Sequence, residues 1–241
     1  DALPIYGQCI LDRILVHNRE CKKKNNLGDY LDDLKIVGNM NLFVFAGSDT
    51  SQNGSKIALC HMADKPEIKS FIDSINAEIY DKDGMTSQEL IDNNEKVIRW
   101  TKETLRRNSP VSLTGPRVIL KDMQLKNYHL KKGDRVMIML TGLNFNENFF
   151  PKPDELREER WTKENEKSLP RYQHIPFSVG KRVCLGRHLG ELMLRLLVTQ
   201  FCRHFEFNRP EDIQYYSEIF MVTKVANPIV LASVKPILQN K

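Results

Sequence analysis

No stretch of this sequence holds the roughly 18 apolar residues that a membrane-spanning helix needs, and no signal peptide is visible. Low-complexity tracts and internal repeats are absent as well. The five cysteines, Cys9, Cys21, Cys60, Cys184 and Cys202, are odd in number and include no CxxC pair. A disulfide framework is therefore not expected, and a reducing compartment is. Runs of like charge are short, the longest being Lys22 to Lys24. A net charge of +5, from 36 Lys+Arg against 31 Asp+Glu, is far from that of a nucleic-acid arm, so nucleic acid is not an expected partner. What remains is the composition of a soluble globular protein, 41% apolar and 28% charged over 241 residues. That length can bury the core of one large domain or two small ones. The chain opens at Asp1 without a methionine, so it is expected to be a piece of something longer.

The apolar residues that are present fall mostly at helical spacing. Ile5, Ile10, Leu11, Ile14 and Leu15 predict a helix within residues 1–26, closed by Asn25 and Asn26. Leu34, Val37, Leu42, Phe43, Phe45, Ala46, Ile57, Ala58 and Leu59 carry a long periodic segment from Leu31 to Met62. Pro66 stops it, because proline disfavours helix at the residue before it. Further helices are predicted over 67–80, after a capped start at Thr86–Glu89, and over 94–108. From Val111 to Leu140 the pattern turns to short strands; residues 141–176 read as a long ordered loop, which in a compact domain is usually functional. The tail, 218–234, alternates like a hairpin around Asn227 and Pro228. The predicted fold is mainly α with a small antiparallel β portion.

The most specific segment is Phe177-Ser-Val-Gly180-Lys-Arg182-Val-Cys184-Leu-Gly186. It puts a cysteine on a glycine-rich loop, beside two cations, at or just before the first turn of an apolar helix running from Leu185 to Phe201. The unpaired N–H groups and positive dipole end of that helix favour a thiolate over a thiol, and Lys181 and Arg182 act in the same direction. Gly180 and Gly186 let the backbone turn and let a flat, bulky group approach the sulfur. A thiolate so held suits a soft or redox metal such as haem iron.

These ten residues match the cysteine-ligand loop of the haem-thiolate monooxygenases, and the chain resembles the cytochrome P-450 family. The resemblance extends in order along nearly the whole chain. Ala46-Gly-Ser-Asp49-Thr50-Ser51 is similar to the family's oxygen-activating motif, where the acid–alcohol pair serves proton delivery; a mid-helix Gly costs roughly 1 kcal/mol against Ala, and the Thr50 hydroxyl can bond back to a carbonyl near Ala46 and open the helix. Glu103 and Arg106 lie one turn apart and correspond to a Glu-x-x-Arg pair that locks onto an arginine in the irregular segment, here Arg160. Two departures stand there: Glu158 replaces the usual proline and Trp161 the usual phenylalanine. Met193 stands where the last helix often carries Glu.

The resemblance implies a cytochrome P-450 fold lacking its N-terminal half, with residues 1–241 forming a single partial domain. It implies haem b as cofactor and Cys184 as axial iron ligand. Phe177 and Gly186 would lie against the macrocycle, and Arg182 and Arg117 would bind propionates, a role that guanidinium geometry suits; His174 and Arg187 would lie near the same edge or be surface residues without a function. Asp49 and Thr50 are the expected catalytic pair. Asn41, Phe45, Ala46, residues 111–114 and the tip at Phe220 and Met221 would line a mostly apolar substrate site. The implied partners are an NADPH-dependent reductase or other electron donor, dioxygen and a small organic substrate. The implied location is the endoplasmic reticulum membrane, through an anchor outside this sequence.

Other readings stay open on sequence alone. Cys184 is also readable as a buried structural cysteine. A truncated relative serving only as a haem-binding or interaction module fits the missing half. Cys184 with His188 and Cys202 with His204 allow a zinc site, against which stands the crowding of these groups on one helix.

Overall fold

The structure, a computed structural model, describes residues 9–63, 70–71, 74, 91, 94–208, 217–219, 223–225 and 233–236. The predicted helices at 67–80 and after Thr86 fall almost wholly outside these residues. Two compact units divide the chain, Asp1–Asp49 and Thr50–Lys241.

In the first unit, α1 (Ile10–Lys23) opens with a reciprocal cap: the Cys9 sulfur accepts from the Asp12 amide, and the Asp12 carboxylate accepts from the Cys9 amide at 3.3 Å. Asn25, at φ 51°, turns the chain out of the helix in a left-handed conformation that asparagine tolerates. The returning loop is braced by Asn18, whose amide donates to the Leu31 carbonyl at 2.6 Å and accepts from the Leu31 amide at 2.9 Å. The long α2 (Asp33–Ala63) begins here and ends in the second unit. Ala46–Ser51 lies inside it as helix, so the glycine does not end the element.

The second unit is organised by α3 (Glu95–Arg107) and α6 (Arg187–His204), which pack on the C-terminal part of α2. The Asn94 side chain caps α3 by accepting from the Val97 amide at 3.0 Å. Val97, Trp100 and Leu105 then recur on one face and meet Ala58, Met62, Leu194 and Val198 in the core. Burying each of the larger side chains contributes about 1.5–3 kcal/mol. A Cβ at Gly54 would stand 3.2 Å from the Pro110 ring, so α2 approaches the turn after α3 closely at that point.

Between the helices, β1 (Arg117–Val118) pairs antiparallel with β4 (Arg135–Val136), and β2 (Met123–Leu125) with β3 (Tyr128–Leu130). A single bridge joins Leu113 and Met139. The connection from 141 to 176, expected as loop, carries three short helical pieces: α4 (Leu140–Asn144), a 3₁₀ turn at Glu158–Trp161, and α5 (Lys163–Ser168). Their lengths are too short to show a helical period in sequence. In the tail β6 (Ser217–Ile219) pairs with β7 (Thr223–Val225), and β5 (Phe205–Asn208) with β8 (Ser233–Pro236). The turn expected at Asn227–Pro228 lies outside the described residues. The described chain is mainly helical with small antiparallel ladders, as the sequence predicts. Among its described residues no helix is long and apolar enough to cross a membrane.

His61, on the last turns of α2, is buried, and its Nε2 lies 3.0 Å from the Asn108 side-chain oxygen at the end of α3. Burial, followed by the charges of Arg107 and Arg106, lowers its pKa to about 4. Below about pH 6.5 the unfolded chain binds a proton there that the folded chain refuses, so stability falls as pH drops from about 6.5 to about 4, by roughly 3 kcal/mol. Urea midpoints taken across that window are expected to fall, and less steeply in His61→Gln. Identical slopes for the two proteins would contradict this.

Candidate active site: the cysteine loop and its buried brace

The loop before α6 is built by backbone turns. The Ser178 amide donates to the Ile175 carbonyl at 2.9 Å, the Val183 amide to Gly180 at 3.1 Å, and the Cys184 amide reaches back to Phe177 at 2.8 Å. Ser178 and Gly180 take positive φ, 61° and 67°; at Gly180 the glycine makes this conformation free of Cβ strain. A short 3₁₀ turn, Gly180–Arg182, then leads to Cys184. Helix α6 starts only at Arg187 with Gly186 as its cap, so Cys184 lies before the helix rather than in its first turn. The Arg187 amide bonds the Cys184 carbonyl at 3.3 Å and joins loop to helix.

The thiol of Cys184 is free and the residue exposed, so the structure does not support a buried structural cysteine. A Cβ at Gly180 or Gly186 would meet nothing within 4 Å, leaving open space on both sides of the cysteine. The Phe177 ring lies against α6, 3.4 Å from where a Cβ on Gly190 would stand. Leu185, Leu189, Met193 and Leu196, at helical spacing, form an exposed apolar stripe leading away from the cysteine. A soft sulfur donor, open space beside it and the exposed cations Lys181 and Arg182 fit a large flat anionic group carrying a soft metal. Among the described residues no group of three or more His, Cys, Asp or Glu side chains converges on a metal position.

Behind the loop lies a fully buried ion pair. Glu103 and Arg106, both 0% exposed, meet in two parallel contacts: Nη2 to Oε1 at 2.8 Å and Nε to Oε2 at 2.9 Å. The remaining donors of Arg106 reach the carbonyls of Asn144 (3.1 Å) and Glu155 (3.2 Å). Glu103 also accepts from the Arg157 amide at 2.9 Å and from the Trp161 indole at 2.9 Å. Arg160 places its Nε 3.4 Å from Glu103 Oε1, at ion-pair distance, and donates Nη2 to the Lys152 carbonyl at 2.8 Å. A buried charge pair is favourable only when such extra hydrogen bonds satisfy both ions.

Sequence reasoning did not single out the indole, Asn144 or Gln173. Trp161 stood out only as a departure from the expected phenylalanine. Asn144 and Gln173 gave no signal, because their roles depend on contacts across about 30 residues: Gln173 donates to the Leu143 carbonyl at 2.6 Å. His174, next in sequence, packs against Trp161 with ring centroids 4.5 Å apart and planes tilted by 50°, and places Nδ1 3.5 Å from Asn144 Oδ1. Burial first, then the charges of Lys102, Arg106 and Arg187, lowers its pKa to about 3, so it is a neutral imidazole at ordinary pH.

The other predicted residues are more dispersed. Arg117 is exposed on β1, and Arg187 pairs with Glu191 at 3.0 Å. Ser112 and Thr114 are buried and committed to backbone bonds with the 138–140 segment. Asn41 and Phe45 belong to the first unit and are exposed; Asp49 ends that unit and Thr50 begins the second. Phe220 and Met221 lie outside the described residues, as does the side chain of Cys202.

Among solved structures, the fold is similar to the crystal structure of the cytochrome P450DA heme domain, with a TM-score of 0.79 at 19% identity, covering 95% of this chain and 54% of that one. The family model described as Cytochrome P450 matches residues 9–234, and the chain belongs to that family. Its relatives include cytochrome P450 3A28 of Bos taurus, 25% identical over 91% of this chain and 43% of the relative. Cytochrome P450 3A11 of Mus musculus is 30% identical over 76% of this chain and 36% of the relative. Cytochrome P450 3A19 of Capra hircus aegagrus is 25% identical over 83% of this chain and 92% of that shorter sequence. The chain spans about two-fifths of the length of the curated relatives it matches first.

Replacing Glu103 with alanine strips the buried Arg106 of its counter-ion and the indole of its acceptor. A loss of about 3–5 kcal/mol in unfolding free energy is expected, measured by denaturant titration. A change below about 1 kcal/mol would show that the pair is replaceable.

Proposed function

We propose that this chain carries the thiolate side of a haem-thiolate monooxygenase, which inserts one atom of dioxygen into a lipophilic organic substrate. The observation that carries this is an exposed, free cysteine on a glycine-opened loop whose ten residues match the family's ligand loop. Haem b, when bound, supplies oxygen activation and the transfer of oxygen to substrate.

The chain's own residues hold and shape that chemistry. Cys184 would hold the haem iron through its sulfur, and the backbone bond from its amide to the Phe177 carbonyl would help to fix the loop that carries it. The Phe177 ring and the open faces of Gly180 and Gly186 shape an apolar bed around it. Arg182 and Arg117 are the proposed propionate partners. Asp49 and Thr50 are the proposed proton carriers, on the strength of their place in the family motif. The buried Glu103–Arg106 pair, with Arg160, holds the connection that leads into the loop. Electrons would come from an NADPH-dependent reductase or comparable donor. Exposed Lys181 is available to an acidic donor surface, while Arg187 is already paired with Glu191. Attachment to the endoplasmic reticulum membrane is proposed from the relatives alone.

One observation favours a second reading, a haem-binding or interaction module without turnover. The apolar stripe from Leu185 to Leu196 is exposed among the described residues, Leu189 at 61%. Haem bound without substrate oxidation, with reductase supplied, would select that reading.

Haem-loaded protein, reduced under carbon monoxide, is expected to show the long-wavelength Soret band of thiolate ligation. Cys184→Ser is expected to abolish that band while Cys9→Ser leaves it in place. A histidine-type spectrum, or one indifferent to Cys184→Ser, would overturn the proposal.

A further inference from the structure

Glu103 is completely buried, and its partners come from α3 itself and from one irregular connection. Arg106 belongs to α3 itself; the Arg157 amide, Arg160 and Trp161 belong to the irregular connection that leads to the cysteine. The two side chains from that connection are not equivalent. The Arg160 Nε is 3.4 Å from the carboxylate and makes no hydrogen bond, and its Nη2 is spent on the Lys152 carbonyl. The Trp161 indole, 3% exposed, donates to Glu103 Oε2 at 2.9 Å. A hydrogen bond to a buried carboxylate is among the stronger kinds available to a protein.

The same ring touches the next segment. His174 packs against it in a tilted contact, centroids 4.5 Å apart, and Gln173 beside it is tied to α4 through the Leu143 carbonyl. Three residues on, Phe177 offers the carbonyl that the Cys184 amide bonds at 2.8 Å. Glu103, Trp161, His174 and Phe177 therefore form a contiguous series from the buried ion pair to the cysteine loop, in which each link is a short contact or a short span of chain.

We propose that Trp161 is a positioning residue for Cys184: its indole N–H, rather than the Arg160 guanidinium, is the side-chain hydrogen bond that ties the connection to Glu103, and its ring holds His174 and with it the cysteine loop. The phenylalanine expected at this place would keep the ring packing and lose the bond. The proposal rests on the haem-thiolate reading only for the purpose of the loop; the bond and its consequences exist without haem.

The test is read on the full chain without added cofactor, so that its failure is separable from failure to bind haem. In the unmutated protein the Trp161 indole proton is expected downfield of that of Trp100, whose Nε1 is buried without a partner among the described residues. Glu103→Gln is expected to move the Trp161 signal upfield. Hydrogen exchange then reads the loop. In Trp161→Phe the Cys184 amide is expected to exchange about tenfold faster, while the Val198 amide in the core of α6 is unchanged. Arg160→Lys is expected to accelerate the Cys184 amide less than Trp161→Phe does. Equal acceleration at Cys184 and Val198 would mean general loosening and overturn the proposal. So would a larger effect from Arg160→Lys. If Trp161→Phe does not fold, the indole signal decides: a position indistinguishable from Trp100 sinks the idea.

Discussion

The carboxylate of Glu103 is the point on which the second unit is assembled. It lies at 0% exposure and is held by two contacts from Arg106, one backbone amide and one indole. An ionised group taken from water into such a place is tolerable only if nearly every lone pair finds a donor. Apart from Arg106 on α3, those donors come from a connection that has no hydrophobic periodicity of its own. The irregular connection from 145 to 176 is therefore ordered by polar demand as well as by its buried Phe150 and Trp161. Arg106 does the same in the other direction, drawing in the carbonyls of Asn144 and Glu155.

This arrangement explains how a loop can present a cysteine sulfur without burying it. Cys184 is exposed and sits between glycines with open space beside them, a conformation with little packing of its own. Its support comes from behind: the Phe177 ring against α6 at Gly190, the backbone turn at Gly180, and the clamp on 173–174. Rigidity is thus placed in the carboxylate network and access is placed at the sulfur. Sites that must admit a large flat ligand need that division, because side chains packed on the sulfur would occupy the ligand's place.

The helices obey a simpler logic. Val97, Trp100 and Leu105 on α3, Ala58 and Met62 on α2, and Leu194 and Val198 on α6 share one core, and their spacing alone marks them as helical. The opposite side of α6, from Leu185 to Leu196, is just as periodic and yet exposed. Periodicity predicts that a face is made for burial; it does not say which neighbour covers it. The family relatives matched first are more than twice as long as the matched region, which leaves ample chain elsewhere in such proteins for that role.

Local chemistry made much of this protein readable from residue order. The described helix spans and the strand region after Val111 follow from spacing and proline stops that act within a few residues, and the cysteine loop from Phe177 to Gly186 stood out by its likeness to a family motif. The three short helical pieces of the 141–176 connection did not, since pieces of four to six residues carry no period. Glu103 and Arg106 were visible as a one-turn pair, but on sequence grounds such a pair belongs as well to a solvated surface; burial alone changed its meaning. The indole bond of Trp161 and the clamp of Gln173 join residues 58 and 30 positions apart, and only the packed chain brings them within hydrogen-bond reach. Sequence by itself determined what each segment could do locally, and tertiary structure decided which polar groups were withdrawn from water and therefore had to find one another.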